Sequence, residues 1–193
     1  MSYYENKDID IDDFLDEGFI LVRAIIEIAG SPKEFVEELL KDLRNKMFLF
    51  QHKDFPKINN EKELIERIEK VFKENKDLFD GKMERNAVIN TLQIGEAQKI
   101  EGTDFYSAFI EAELLLKDLK ELLKFSVNFT PSNLQILEPS KLKLESVLLQ
   151  DFLNEVISLL NNLFNNLKNL DAENKLLKEE LNKLKKLNLR FKK

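Results

Sequence analysis

The sequence predicts an α+β protein. It reads as a ferredoxin-like (βαββαβ) domain over residues 18–144, with a helical insertion at about 48–85, followed by a coiled-coil helix over residues 145–193. Three observations carry this. Residues 20–28 and 106–114 alternate apolar and polar side chains, the pattern of half-buried strands. Each of these segments is followed by helix-start signals and an apolar stripe of helical period. From Leu149 onwards, core positions recur at spacings of 4, 3, 4, 3 for almost six heptads.

The first strand places Ile20, Val22, Ala24, Ile26 and Ile28 on one face. Gly30 follows, and Ser31-Pro32-Lys33-Glu34 opens a helix. Ser31 is the expected cap, Pro32 the first helical residue and Glu34 the far side of a capping box. Val36, Leu39, Leu40, Leu43 and Met47 form its stripe. Within the insertion, Phe48 to Phe50 is open to reading as a third strand. A helix capped by Asn60 and Glu63 carries Leu64, Ile65, Ile68, Val71 and Phe72 on one side.

A strand over 88–98 joins the next one through Glu101-Gly102-Thr103-Asp104, a hairpin loop. Tyr106, Ala108, Ile110, Ala112 and Leu114 then alternate with Phe105, Ser107, Phe109, Glu111 and Glu113. Asp118 and Glu121 form a second capping pair, with Leu119, Leu122, Leu123 and Ser126 on one helical side. Thr130 ends this helix because a residue before proline avoids helical dihedrals. Residues 133–138 are the closing strand, stopped at Pro139.

In the last 49 residues, Leu149, Val156, Leu163, Leu170, Leu177 and Leu184 fall at heptad position d. Leu153, Leu160, Leu167, Asn174, Leu181 and Asn188 fall at a. Leucine dominating d with an Asn at a resembles the pattern of parallel dimeric zippers, with Asn174 setting the register. Glu173 and Glu180 at g would meet Lys178 and Lys185 at e of a parallel partner. Earlier in the helix, Phe152 and Leu159 at g and Ile157 and Phe164 at e widen the apolar face beyond a two-stranded seam. That wider stretch is expected to pack against the chain's own α+β domain or against more than one helix. The a and d residues from Leu149 to Leu184 are the expected dimer interface, and a second copy of the chain is the expected partner.

Composition narrows the chemistry. The 193 residues are 43% hydrophobic and 34% charged, which is too apolar for a disordered chain. The absence of Cys excludes disulfides, thiolate metal sites and cysteine nucleophiles, and one His leaves no material for a histidine cluster. There is no P-loop, G-x-G-x-x-G, H-E-x-x-H or G-x-S-x-G. The expectation is a non-enzyme with no cofactor, no catalytic residue and no metal ligand. Neither a signal peptide nor a membrane span is expected, so the chain reads as cytoplasmic. Abundant Lys, Glu, Ile, Leu and Asn fit an AT-rich thermophile.

Other charged features have bland readings. Residues 1–17 carry seven carboxylates and one Lys, expected to form a solvated acidic arm. Asp8, Asp10, Asp12 and Asp13 match half of a calcium loop, but its positions six and twelve hold Asp13 and Phe19 where Gly and Glu are required. His52 reads as a surface residue, and Glu111 with Glu113 as the solvent face of a strand. Net charge is −6, yet residues 182–193 hold Lys183, Lys185, Lys186, Arg190, Lys192 and Lys193 with no acid. Paired in a dimer, these tails offer an alternative role in contacting nucleic acid or the ribosome. A third reading is a small-ligand sensor or enzyme in the head.

Residues 112–139 (AELLLKDLKELLKFSVNFTPSNLQILEP), the strand-to-helix start at 25–34 and Leu-Asp-Ala-Glu-Asn at 170–174 resemble a family of small uncharacterised archaeal proteins. The resemblance implies an α+β domain followed by a helical C-terminus, and implies no site.

Overall fold

The computed structural model describes residues 2–51, 61–76, 85–142 and 144–190. It is α+β. Two compact units divide it, residues 1–143 and 144–193.

The first unit is built on one antiparallel sheet. Its strands are β1 (Ser2–Glu5), β2 (Ile20–Gly30), β3 (Ala87–Ile94), β4 (Gln98–Lys99), β5 (Tyr106–Leu116) and β6 (Asn133–Glu138). The spatial order is β1-β3-β5-β2-β6, with β4 also paired to β5. The helices are α1 (Ile11–Asp16), α2 (Lys33–Phe50), α3 (Glu61–Glu74) and α4 (Leu119–Phe129). This order differs from a plain four-stranded plan. An extra strand, β1, lies outside β3, and the single strand expected over 88–98 is broken into β3 and β4. The break is at Gly95, where an added Cβ would meet Phe109 Cε1 at 2.6 Å. The Phe109 ring occupies the space that a side chain would need.

Residues 1–17 are therefore not a solvated arm. Tyr3 and Tyr4 favour extended backbone, and Ser2 to Glu5 pair in register with Ile94 to Thr91. Tyr4 is 0% exposed. Its ring meets Phe48 edge-on at 5.1 Å and stacks on Phe72 at 5.9 Å, and its hydroxyl donates to the Lys76 carbonyl at 2.9 Å. The acidic residues are concentrated between β1 and β2. Asp10 caps α1, its carboxylate accepting the Asp12 N–H at 3.0 Å. That helix lays Ile11, Phe14 and Leu15 over Phe19, Leu21, Val88 and Leu115, forming a small second core.

The main core lies on the opposite side of the sheet. Val22, Ala24, Ile26, Leu92, Ile110 and Ala112 face it from the strands, and Val36, Leu40 and Met47 from α2. Phe48 to Phe50 do not form a strand. The stripe of Leu40, Leu43 and Met47 carries on in helical period, and it outweighs the strand preference of the phenylalanines. Phe48 is fully buried, and Phe50 meets Phe125 and Phe129 at 5.9 and 5.5 Å. Gln51 then pins the helix end to the sheet: its Oε1 accepts the Ile89 N–H at 3.0 Å, where β3 bulges. The helix start is one residue later than expected. Pro32, not Ser31, is the cap position, with no side-chain cap bond.

The helix of the insertion is α3, and it belongs to the main core: Ile68 and Val71 are buried. Asn60 and His52 lie outside the described residues. In α4 the buried stripe is Leu122, Phe125 and Phe129, a rotation away from the expected Leu123 and Ser126. The larger phenylalanine rings take the inner positions, because they remove more apolar area from water. Asp118 caps this helix as expected, accepting the Glu121 N–H at 2.9 Å. Replacing it with alanine is expected to cost about 1 kcal/mol, read as a lower urea midpoint with an unchanged slope.

Candidate interaction surfaces

The second unit is one element. Helix α5 runs over Ser146–Arg190, 45 residues, or about 67 Å at 1.5 Å per residue. Its heptad leucines lie open. Leu149, Leu153, Leu160, Leu163, Leu167, Leu170, Leu177 and Leu181 are 43–63% exposed, and Val156 is half-buried. At Asn174, between Leu170 and Leu177 of this row, the amide Nδ2 donates to the Leu170 carbonyl at 3.0 Å. Asp171 and Lys175 pair at 2.6 Å, one turn apart, off the seam. Leu184, Lys183, Lys185, Lys186 and Arg190 fall within α5, with side chains outside the described residues. Lys192 and Lys193 lie wholly outside them.

The stripe is costly to leave wet. Burying a leucine stabilises by about 1.5–3 kcal/mol, and isolated helices gain most of their stability from packing. Intrinsic propensity offers little compensation. Asn154, Asn161, Asn162, Asn165, Asn166 and Asn169 crowd one stretch, and such residues are each up to about 0.7 kcal/mol poorer than alanine in a helix.

The first unit carries a polar surface, on the face of the sheet opposite the main core and beside α1. Strand pairing sets Arg23 opposite Glu113, and Ile25 opposite Glu111. Arg23 Nη2 reaches Glu113 Oε1 at 2.6 Å, and its Nε lies 3.6 Å from Glu111 Oε1. Asn90 Nδ2 donates to the other Glu113 oxygen at 3.2 Å. The two carboxylates share a face as read from the sequence, with their own arginine beside them. Next to them the Tyr3 phenol is pushed up from its usual range by partial desolvation and by the charges of Glu5 and Glu113. The Arg23 guanidinium is pushed up in turn, chiefly by its hydrogen bond to Glu113.

On the core side of the sheet, Arg44 of α2 lies 5.2 Å above the Phe72 ring and 3.8 Å from Glu69. Burial lowers its pKa, against the opposing pull of Glu69. Among the described residues no group of three or more His, Cys, Asp or Glu is arranged to hold a metal ion. No described helix is long and apolar enough to cross a membrane.

A protein-family model matches residues 57–187, about two thirds of the chain. The chain belongs to the MJ0538 family. That family is named after a Methanocaldococcus protein, in keeping with the resemblance to small archaeal proteins. The MJ0538 match takes in the strands from β3 to β6 and nearly all of α5, so the heptad helix lies within the family's shared region. No curated protein and no solved structure matches the chain.

Sequence reasoning misses the Arg23–Glu113 pair and the burial of Tyr4. Arg23 and Glu113 are 90 residues apart, and nothing local marks them as partners. For β1 a signal exists in the Tyr-Tyr pair, but the carboxylates beyond it mask that signal.

Proposed function

We propose that this MJ0538-family protein is a non-enzymatic homodimeric adaptor, in which a parallel coiled coil of two α5 helices presents two α+β heads. The observation that carries the reading is the row of open leucines interrupted by Asn174. In a parallel pair each leucine seam closes on its twin, and the Asn174 amide exchanges its bond within the helix for the partner's Asn174. Glu173 then meets the partner's Lys178, and Glu180 the partner's Lys185. Each such exposed pair contributes only about 0.3–0.5 kcal/mol, so the charges select orientation more than they stabilise.

The head reads as a ferredoxin-like variant. Strands β3-β5-β2-β6, with α2 and α4 as crossovers, supply the split βαβ arrangement, and β1 extends it. The protein is taken to work in the cytoplasm through protein contacts. Light scattering on the full chain tests the dimer. A mass of at least two 22.7 kDa chains at micromolar concentration is expected, and a single-chain mass overturns the reading.

One feature favours a second reading, a nucleic-acid- or ribosome-associated regulator. Residues 182–193 carry six cations and no acid, and a dimer doubles them. This reading requires RNA or DNA binding that weakens steeply with salt and disappears when residues 182–193 are removed. Unchanged binding after that removal rejects it.

A further inference from the structure

The sheet ends in two edge strands, β1 and β6, and the two are not alike. At β1 the outer edge is capped, with the Glu5 N–H donating to Asn75 Oδ1, just past α3, at 3.2 Å. Strand β6 pairs with β2 along one side. Among the described residues, no element bonds to its other side. Its outward N–H and C=O groups form an open ladder, a template for one more strand.

Such edges are commonly blunted by a lysine, a proline or a bulge within the strand. Residues 133–138 (NLQILE) hold no Lys, Arg or Pro, and their single charge is Glu138 at the end. Pairing with β2 is regular from Asn133 to Ile136, and the register shifts only beyond it. Ile136 lies opposite Val22, on the main-core side, yet is 39% exposed. The edge therefore lacks a neighbour for its side chains as well as for its backbone.

The next element in the chain identifies that neighbour. Seven residues, 139–145, separate β6 from α5, a reach of at most about 24 Å. A parallel coil starts both α5 helices side by side, roughly 10 Å apart. Each β6 is thereby tethered near its own copy, at an effective concentration of about millimolar. The symmetry agrees too. A parallel dimer has a two-fold axis, and an antiparallel pair of identical strands is also two-fold, so one operation serves both contacts.

We infer that the two β6 strands of a dimer pair antiparallel with each other, joining both heads into one continuous sheet. The inference rests on the parallel coiled-coil reading above. Side chains select the register. With Gln135 on the axis, Leu134 meets the partner's Ile136 on the main-core side. A slip of one residue would set that side against the opposite face of the partner strand. The closed pair leaves no ladder on β6 for a third chain.

Hydrogen exchange of the full chain, read on residues 131–139 by mass spectrometry, tests the pairing. The reference is the Leu170→Lys/Leu177→Lys variant, altered only in the coil. The outward amides of β6 are expected to exchange at least about tenfold more slowly in the wild type than in that variant. Equal exchange, with a two-chain mass for the wild type, overturns the pairing and leaves the dimer with an edge open to another protein's strand. A single-chain mass for the wild type overturns both. Mild oxidation of full-length Gln135→Cys checks the register. Disulfide-linked pairs are expected, with none from Glu101→Cys in the hairpin loop, and equal linking of the two rejects the pairing. Gln135 and Glu101 are both exposed, so neither thiol disturbs the core.

Discussion

Replacing Tyr4 with alanine lowers the unfolding free energy by about 3–5 kcal/mol, the range for deleting a buried aromatic ring. The residue is 0% exposed, with its ring between Phe48 and Phe72 and its hydroxyl on the Lys76 carbonyl. Tyr4→Phe keeps the rings and loses that hydrogen bond, so it is expected to cost about 1 kcal/mol. Tyr3→Ala serves as the control. Tyr3 is 52% exposed, and its loss is expected to change stability by about 0.5 kcal/mol or less. Urea unfolding measures all three. A Tyr4→Ala midpoint as close to wild type as that of Tyr3→Ala would mean that the first five residues are a solvated tail after all.

Lysines at Leu170 and Leu177 are expected to reduce the protein to single chains. These are consecutive d positions, so a dimer loses four leucines from its seam. At about 2 kcal/mol each the loss is about 8 kcal/mol, or more than five powers of ten in dissociation constant. Lysines facing lysines across the axis add repulsion. The same substitutions on a solvent-facing side, Glu179→Lys with Ala172→Lys, are expected to leave the mass unchanged. Light scattering at micromolar concentration separates the two cases. An unchanged mass for the Leu170/Leu177 variant places the contact elsewhere.

Much of the fold is legible because its signals are local. The alternation in β2 and β5 exposes their buried faces, and Asp118 marks the start of α4 through a bond spanning three residues. What escapes depends on distant partners. Tyr4 is held by Phe48, Phe72 and the carbonyl of Lys76, none of which a reading of residues 1–17 can see. Phe48 is ambiguous for a related reason, since an aromatic triplet suits a strand until the stripe from Val36 to Met47 is followed through it. In α4 the apolar pattern alone does not separate Leu123 from Phe125, and ring size decides which side chain fills the core. The leucine seam is legible because a heptad is written entirely in one segment. In the proposed dimer the side chains that complete it belong to another chain, and a single sequence records them only through their periodicity.

The chain contains no Cys, so one introduced thiol reports on one position. The most direct test of a parallel, in-register coil is mild oxidation of the full-length Asn174→Cys variant. In that arrangement each residue 174 faces its twin across the axis, within reach of the roughly 4.4–6.8 Å that a disulfide requires between Cα atoms. Near-complete conversion to disulfide-linked pairs is predicted, with the Glu179→Cys variant, altered on the outer side, giving none. An Asn174→Cys variant that stays reduced as single chains, or that links no better than Glu179→Cys, would contradict the parallel coil.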